Sequence, residues 1–188
     1  MSQLQFRATR AIMPLMNGAF GPVRQIGYVV ADLGRATSFW LQVLGVGPFF
    51  QLEAYAVANC DFRGARSTPL LNVAIGYSGP LQIELIQPLG EQNTLYAELQ
   101  RTSPASPHYT THWVDDLSSA IARANELGCE VVQSGGVAEA GRFVYLRGPS
   151  GILFELLETN DAIRGWFGAM EQAAAGWDGQ RPLRPAFG

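Results

Sequence analysis

The sequence predicts an α+β fold built from two tandem βαβββ modules, and three observations predict it. Val30-Ala31-Asp32-Leu33-Gly34-Arg35-Ala36 resembles Val114-Asp115-Asp116-Leu117-Ser118-Ser119-Ala120 at a separation of 84 positions. Leu81-Gln82-Ile83-Glu84-Leu85-Ile86 resembles Ile152-Leu153-Phe154-Glu155-Leu156-Leu157 at a separation of 71, so both halves open and close on the same elements. Finally, 21 glycines and 11 prolines in 188 residues supply the tight turns that short strands need and long helices do not.

Residues 1–21 form an extension. Arg7 and Arg10 precede Ala11-Ile12-Met13-Pro14-Leu15-Met16, but that run is shorter than a secretory apolar region and contains Pro14. The first module spans 22–90. Ile26, Tyr28 and Val30 alternate with Gln25, Gly27 and Val29, the period of a strand with two unlike faces. Asp32 is placed to cap a helix, Leu33, Ala36, Phe39, Trp40, Val43 and Leu44 follow at helical spacing, and Gly45 ends it. Three strands follow, around residues 49–58, 70–77 and 81–86. A short helix over Gly90 to Arg101 and the stretch 102–107 connect the halves, the linker segment running over 91–106. The second module, 107–159, repeats the pattern. Asp116 is the cap, Leu117, Ala120, Ile121, Ala124 and Leu127 make the stripe, Gly128 stops it, and strands follow around 129–133, 142–146 and 152–157. Residues 160–188 read as a helix over 161–175 and an extended tail, and the whole makes one domain.

Composition excludes several classes of function. A formal charge of −3 with 13 scattered basic residues offers no stripe for phosphates, so nucleic acid is not a partner. Cys60 and Cys129 lie far apart and outside any metal-binding spacing, which points to reduced thiols and a cytoplasmic location. No run reaches the roughly 20 apolar residues that would span a bilayer.

The two modules, with their edges Gln25-Ile26-Gly27-Tyr28-Val29-Val30-Ala31-Asp32-Leu33, Val43-Leu44-Gly45-Val46-Gly47-Pro48, Gln82-Ile83-Glu84-Leu85, Trp113-Val114-Asp115-Asp116-Leu117 and Gly151-Ile152-Leu153-Phe154-Glu155-Leu156, resemble the vicinal oxygen chelate superfamily. That superfamily includes glyoxalase I, methylmalonyl-CoA epimerase, extradiol dioxygenases and bleomycin-resistance proteins. The resemblance covers about residues 22–159. It implies a cup-shaped mixed sheet (the glyoxalase/bleomycin resistance fold), a homodimer, and a divalent metal (Mg, Mn, Co, Ni or Zn) that holds adjacent oxygens of a substrate. One metal position falls near the start of each module's first strand and one on each last strand: Gln25 and Tyr109, 84 apart, and Glu84 and Glu155, 71 apart. Gln25, Glu84 and Glu155 are thus the candidate ligands. At the remaining position His108-Tyr109 stands where the family carries a His pair, so a phenol replaces an imidazole, and a metal-free cup is the other outcome. His108 reaches the cup only if a bulge shifts the register by one, and His112 faces the helices.

The residues supply a second line of reasoning. Glu84 and Glu155 interrupt strongly apolar strands, where a carboxylate requires a metal, a donor or a proton. A carboxyl in an apolar cup has a raised pKa, which suits a general base near neutral pH. Catalytic candidates are therefore Glu155, Glu84, Tyr109 and His108. Gln25, Phe49, Phe50, Trp113, Phe143 and Tyr145 are candidates for binding a small carbonyl-containing or aromatic molecule, and Tyr96 belongs with those aromatics. The expected activity is a glyoxalase- or epimerase-like isomerase or lyase. The alternative is a non-catalytic binder of the bleomycin-resistance type. An extradiol dioxygenase would need two His and one carboxylate on Fe(II), which Gln25 and Tyr109 argue against.

Overall fold

The computed structural model describes residues 18–103, 106–137 and 141–186. Most of the expected N-terminal extension, Pro104 and Ala105 of the linker, residues 138–140 and the last two residues lie outside these. Strand β1 (Gln25–Val29) runs into helix α1 (Leu33–Gln42), where the Asp32 carboxylate accepts from the Arg35 amide at 2.9 Å and Gly45 takes φ +67° beyond the last turn. Strands β2 (Phe49–Ala56), β3 (Ala58–Phe62), β4 (Ala65–Ser67), β5 (Leu70–Ser78) and β6 (Leu81–Pro88) follow, then α2 (Leu95–Thr102). The second half holds β7 (Tyr109–Val114), α3 (Leu117–Glu126), β8 (Glu130–Val137), β9 (Gly141–Arg147) and β10 (Leu153–Glu158), with α4 (Asp161–Ala175) and β11 (Leu183–Pro185) after it.

The repeat seen in sequence is a repeat of pairing. In the first half β6 lies parallel to β1, β5 antiparallel to β6, and β2 antiparallel to β5. In the second, β10, β9 and β8 follow β7 in the same senses. Antiparallel pairing of β1 with β7 joins the halves into one mixed sheet, ordered β11-β2-β5-β6-β1-β7-β10-β9-β8-β3-β4. Its convex side carries α1 over Leu33, Val46, Phe49, Ile83 and Leu85, and α3 over Leu117, Ala124, Val144, Leu146 and Leu156. The largest apolar cluster fills the concave side.

Two elements were not legible beforehand. The β3–β4 hairpin leaves the first half and pairs with β8, at the far wing of the second. Only Val57 separates β2 from β3, so the two wings must meet there, and the sheet is forced into a cup. Tyr55 reinforces the junction by donating to the Gly136 carbonyl at 3.3 Å. At the other edge the tail is not merely extended, because β11 pairs in parallel with β2.

Two helical details differ from expectation. The α1 stripe does not bury Phe39, Val43 or Leu44, which are 53%, 65% and 48% exposed. Thr37 turns inward instead, its hydroxyl satisfied by the Leu33 carbonyl at 2.9 Å, and places Leu33, Ala36, Trp40 and Leu41 against the sheet. Helix α2 starts at Leu95 and not near 90, because Thr94 provides the cap and Gly90 a turn at φ +72°. No helix among the described residues is long and apolar enough to cross a membrane.

Candidate active site

Register decides which side chains meet. In paired strands, residues directly opposite one another share a face. Reading across the cup side gives one row of Tyr77, Gln82, Gln25, Thr111, Glu155, Tyr145 and Gln133. The row two residues away holds Ile75, Glu84, Gly27 and Tyr109. Each half thus contributes one carboxyl from its last strand to the same concavity, flanked by its own first strand.

Most polar members of these rows are paired with one another. Gln25 Nε2 donates to Gln82 Oε1 at 2.7 Å, and Gln82 Nε2 donates to the Tyr77 hydroxyl at 2.9 Å. On the other side Thr111 Oγ1 donates to Glu155 Oε2 at 2.7 Å. The Tyr109 hydroxyl donates to Glu84 Oε2, also at 2.7 Å. It reaches that carboxylate by lying over Gly27, where even a Cβ would come within 2.0 Å of the ring. Gln25, Gln82, Thr111 and Glu155 are all buried, so these hydrogen bonds are what makes their presence in the sheet tolerable, and the buried Gln133 accepts instead from the Leu95 amide at 2.9 Å.

A cavity of about 350 Å³ opens over the rows. Gln25, Glu84 and Glu155 line it, with Phe143, Tyr145 and Tyr96 among an otherwise apolar wall that includes Leu52, Val73, Ile75 and Leu157. Other expected site residues sit elsewhere. His108 points away from the cup: its Nδ1 accepts from the Val29 amide at 3.0 Å and its Nε2 lies 2.7 Å from the Ser103 carbonyl. No bulge moves it inward, and the opposite parity of Tyr109 accounts for this. Phe49 is fully buried on the α1 side of the sheet, over Gly76. Phe50 faces the cup side of β2 near the tail, with the Arg184 guanidinium 5.8 Å from its ring. Trp113 stacks on Phe167 at 5.2 Å and does not itself line the cavity. Sequence reasoning missed Thr111 and the inward face of α4, which supplies Ile163, Trp166 and Phe167 to the cavity wall. The first was within reach, since Thr111 shares the parity of Tyr109.

Burial pushes the Glu84 carboxyl up to about 7, with the Tyr109 hydrogen bond pulling the other way. Burial and the neighbouring Glu84 charge push Glu155 up to about 8, against the hydrogen bond from Thr111. Burial also holds the Tyr96, Tyr109 and Tyr145 hydroxyls well above the usual phenol range, so they remain donors. His108 is lowered by its own burial.

The raised carboxyls have a consequence for stability. Above the ordinary carboxyl range, near 4, the unfolded chain has released protons that the folded protein still holds. Their stabilisation is therefore complete below pH 4.5, is lost progressively as pH rises above it, and is gone once pH has passed about 7 to 8. The thermal midpoint should fall between pH 6.5 and pH 8.5, and the Glu84→Gln/Glu155→Gln protein should fall much less. Scanning calorimetry at the two pH values tests this, and a native midpoint that rises with pH contradicts it.

The same groups bear on metal binding. Gln25 Oε1 and the two carboxyls offer oxygen only, and one oxygen of each carboxyl is already engaged by Tyr109 or Thr111. The fourth candidate position is a phenol kept protonated by burial. No group of three or more His, Cys, Asp or Glu among the described residues could hold a metal ion. This donor set does not fit a tightly held divalent cation.

The sequence pattern of a protein family described as Glyoxalase/Bleomycin resistance protein/Dioxygenase superfamily matches residues 24–146. No curated protein matches the chain by sequence. Among solved structures, a hypothetical protein from Bacillus halodurans C-125 is 19% identical with a TM-score of 0.56, over 74% of this chain and 95% of that one. Methylmalonyl-CoA epimerase from Mycobacterium tuberculosis is 18% identical with a TM-score of 0.50, over 76% and 91%. A variant of the Streptomyces coelicolor methylmalonyl-CoA epimerase in complex with 2-nitronate-propionyl-CoA is 15% identical with a TM-score of 0.52, over 74% and 95%. At these identities the likeness is one of fold.

Proposed function

The chain belongs to the glyoxalase/bleomycin resistance protein/dioxygenase superfamily, and from that premise we propose that it is an isomerase or lyase of the glyoxalase and epimerase type. It moves a proton at the carbon beside a carbonyl of a small substrate, with Glu84 and Glu155 as the acid–base pair. One observation carries this reading: each half delivers one carboxyl to the same apolar cavity, Glu155 buried and Glu84 half-buried, and both are held near neutrality. Like charges in a dry site resist double ionisation, so the pair retains about one proton at neutral pH. The ionised member takes the substrate's α-proton. The protonated member returns one to the resulting enolate, on the same carbon for an epimerase or on a neighbouring atom for another isomerase, and the proton count of the pair is unchanged. Tyr96 and Tyr145, whose hydroxyls stay protonated beside the carboxyls, can donate to the oxygen that becomes negative.

Members of this superfamily bind small molecules, typically form dimers and commonly use a divalent metal. A cytoplasmic homodimer accords with that and with the two free cysteines. The donor set departs from the metal habit, and Tyr109 is where it departs. Tyr109→His should remove the phenol from Glu84 and supply a nitrogen donor, tightening Co or Ni binding at least tenfold in calorimetric titration. Unchanged affinity would mean that position 109 does not contribute a ligand in this register.

The experiment that tests the reaction is exchange of α-protons with deuterated solvent, followed by NMR over 2-oxo, 2-hydroxy, ketone and acyl-thioester compounds. Catalysed exchange supports the proposal. Tight binding of such compounds without exchange favours the second reading, sequestration of an apolar molecule, for which the largely apolar cavity wall speaks.

A further inference from the structure

We propose that the ligand of this cavity is an uncharged, compact carbonyl compound with a ring-bearing or branched hydrocarbon body, and that Trp166 on α4 sets the size it admits. This rests on the enolising reading and narrows it to a substrate class. The charge of the cavity is the first ground. All 13 basic residues of the chain are arginines, and among the described residues the cavity lining contains no arginine and no histidine. Its ionisable groups are carboxyls and phenols. Several arginines are committed elsewhere: Arg142 to Glu158 at 2.8 Å, Arg63 to Glu98 at 3.0 Å, and Arg164 to Asp115. A carboxylate or phosphate brought into this space would lose its hydration, meet no cation, and face Glu84 and Glu155. A ketone loses little on entering and gains a donor at its oxygen.

Size and shape are the second ground. About 350 Å³ is near the small end of the range of ligand cavities, roughly 300–1,000 Å³. Aromatic and branched side chains bound it, with Phe143 and Tyr145 from β9, Tyr96 from α2, and Trp166 and Phe167 from α4.

The position of Trp166 is the third ground. Its ring stacks on Phe167 at 5.2 Å, which stacks in turn on Trp113, and its Nε1 donates to the Ala186 carbonyl at 2.8 Å. Ala186 is itself bound, its amide donating to the Gln51 carbonyl at 2.9 Å beside the β11–β2 pairing. Helix, tail and edge strand therefore fix the indole together, as a wall that does not yield to a larger ligand. Trp166, Phe167 and Ala186 themselves lie beyond residues 24–146, the part that matches the superfamily pattern, while Trp113 and Gln51 lie within it. Substrate size is thus set by a segment outside the matched pattern.

The test compares three probes on the full-length protein at pH 7.5 by saturation-transfer NMR titration: phenylacetone, phenylpyruvate, and the larger neutral ketone 2-naphthylacetone. The first two share a shape and differ by a carboxylate. Native protein should bind phenylacetone at least tenfold more tightly than phenylpyruvate and should disfavour the naphthyl ketone. Trp166→Ala should reverse the order of the two ketones. Trp166→Phe, which keeps a smaller ring and loses the bond to Ala186, should lie between and guards against a misfolded alanine variant. Equal or tighter binding of phenylpyruvate, binding of no probe, or an unchanged ketone order in folded Trp166 variants overturns the proposal. Deuterium exchange of bound phenylacetone is read separately: binding in the expected order without exchange supports this ligand class and counts only against the proton-transfer chemistry.

Discussion

Glu155→Gln should lower catalysed α-proton exchange by about two to four orders of magnitude, the usual contribution of a positioned general acid or base. The substitution is nearly isosteric, and its amide oxygen can still accept from Thr111, so the hydrogen bond of 2.7 Å has a replacement and the sheet should stay intact. Only the group that binds and releases the proton is gone. Glu84→Gln should cost activity on the same scale, since transfer on a fixed carbon needs one member to take a proton while the other gives one. The two variants differ in a second observable. The Glu84 charge is one of the causes that raise Glu155, so Glu84→Gln should shift the residual titration of Glu155 downward, and the acid limb of whatever exchange remains should move to lower pH. Rates across pH 5 to 9 on native and variant proteins decide the matter. Undiminished exchange in both single variants would remove the carboxyls from the chemistry, while loss of exchange with unchanged ligand affinity would assign them to it.

The features of this site that were legible in the sequence are those carried by period and offset. The 71-residue offset pairs Glu84 with Glu155, and the 84-residue offset pairs Gln25 with Tyr109. Alternation then puts Gln25, Gly27 and Glu84 on one face, which is where the pairing of β1 with β6 leaves them. Alternation also predicts that a side chain beside Tyr109 points away, and His108 does so, held by the Val29 amide. Pairing across long separations is what local pattern cannot supply. Residues 58–67 contain a turn at Gly64 and too few apolar residues to name a partner, yet β3 finds β8 more than 70 positions onward. The aromatic residues failed for a related reason. Phe49 and Phe50 are equally apolar, and only the pairing of β2 with β5 decides which of them meets α1. An amphipathic pattern over 161–175 announces a helix with one apolar face. It does not announce that the face, through Ile163, Trp166 and Phe167, completes a cavity wall.

Gly27→Ala should be the most damaging single-methyl change in the molecule, and it joins fold to site. An alanine Cβ at this position would stand 2.0 Å from Tyr109 Cζ and 2.2 Å from Cε2, far inside any allowed contact. The strand cannot retreat, because β1 is hydrogen-bonded to β6 on one side and β7 on the other. The Tyr109 ring must therefore leave, and its space is bounded by the Tyr145 ring at 4.9 Å. Overpacking of this kind costs about 1–3 kcal/mol and more where the backbone is fixed. The displaced phenol also abandons Glu84, whose carboxyl then loses its one pK-lowering hydrogen bond and should titrate still higher. Urea denaturation should register the loss of stability, and Tyr109→Phe, which removes the hydroxyl but keeps the ring, should register a smaller one. The decisive construction is Gly27→Ala combined with Tyr109→Val. If the clash with the ring is the cause, the double variant should be more stable than the sum of the single effects predicts, by well over the ~0.5 kcal/mol within which independent sites add. Strict additivity would show that Gly27 is needed for some reason other than room for Tyr109.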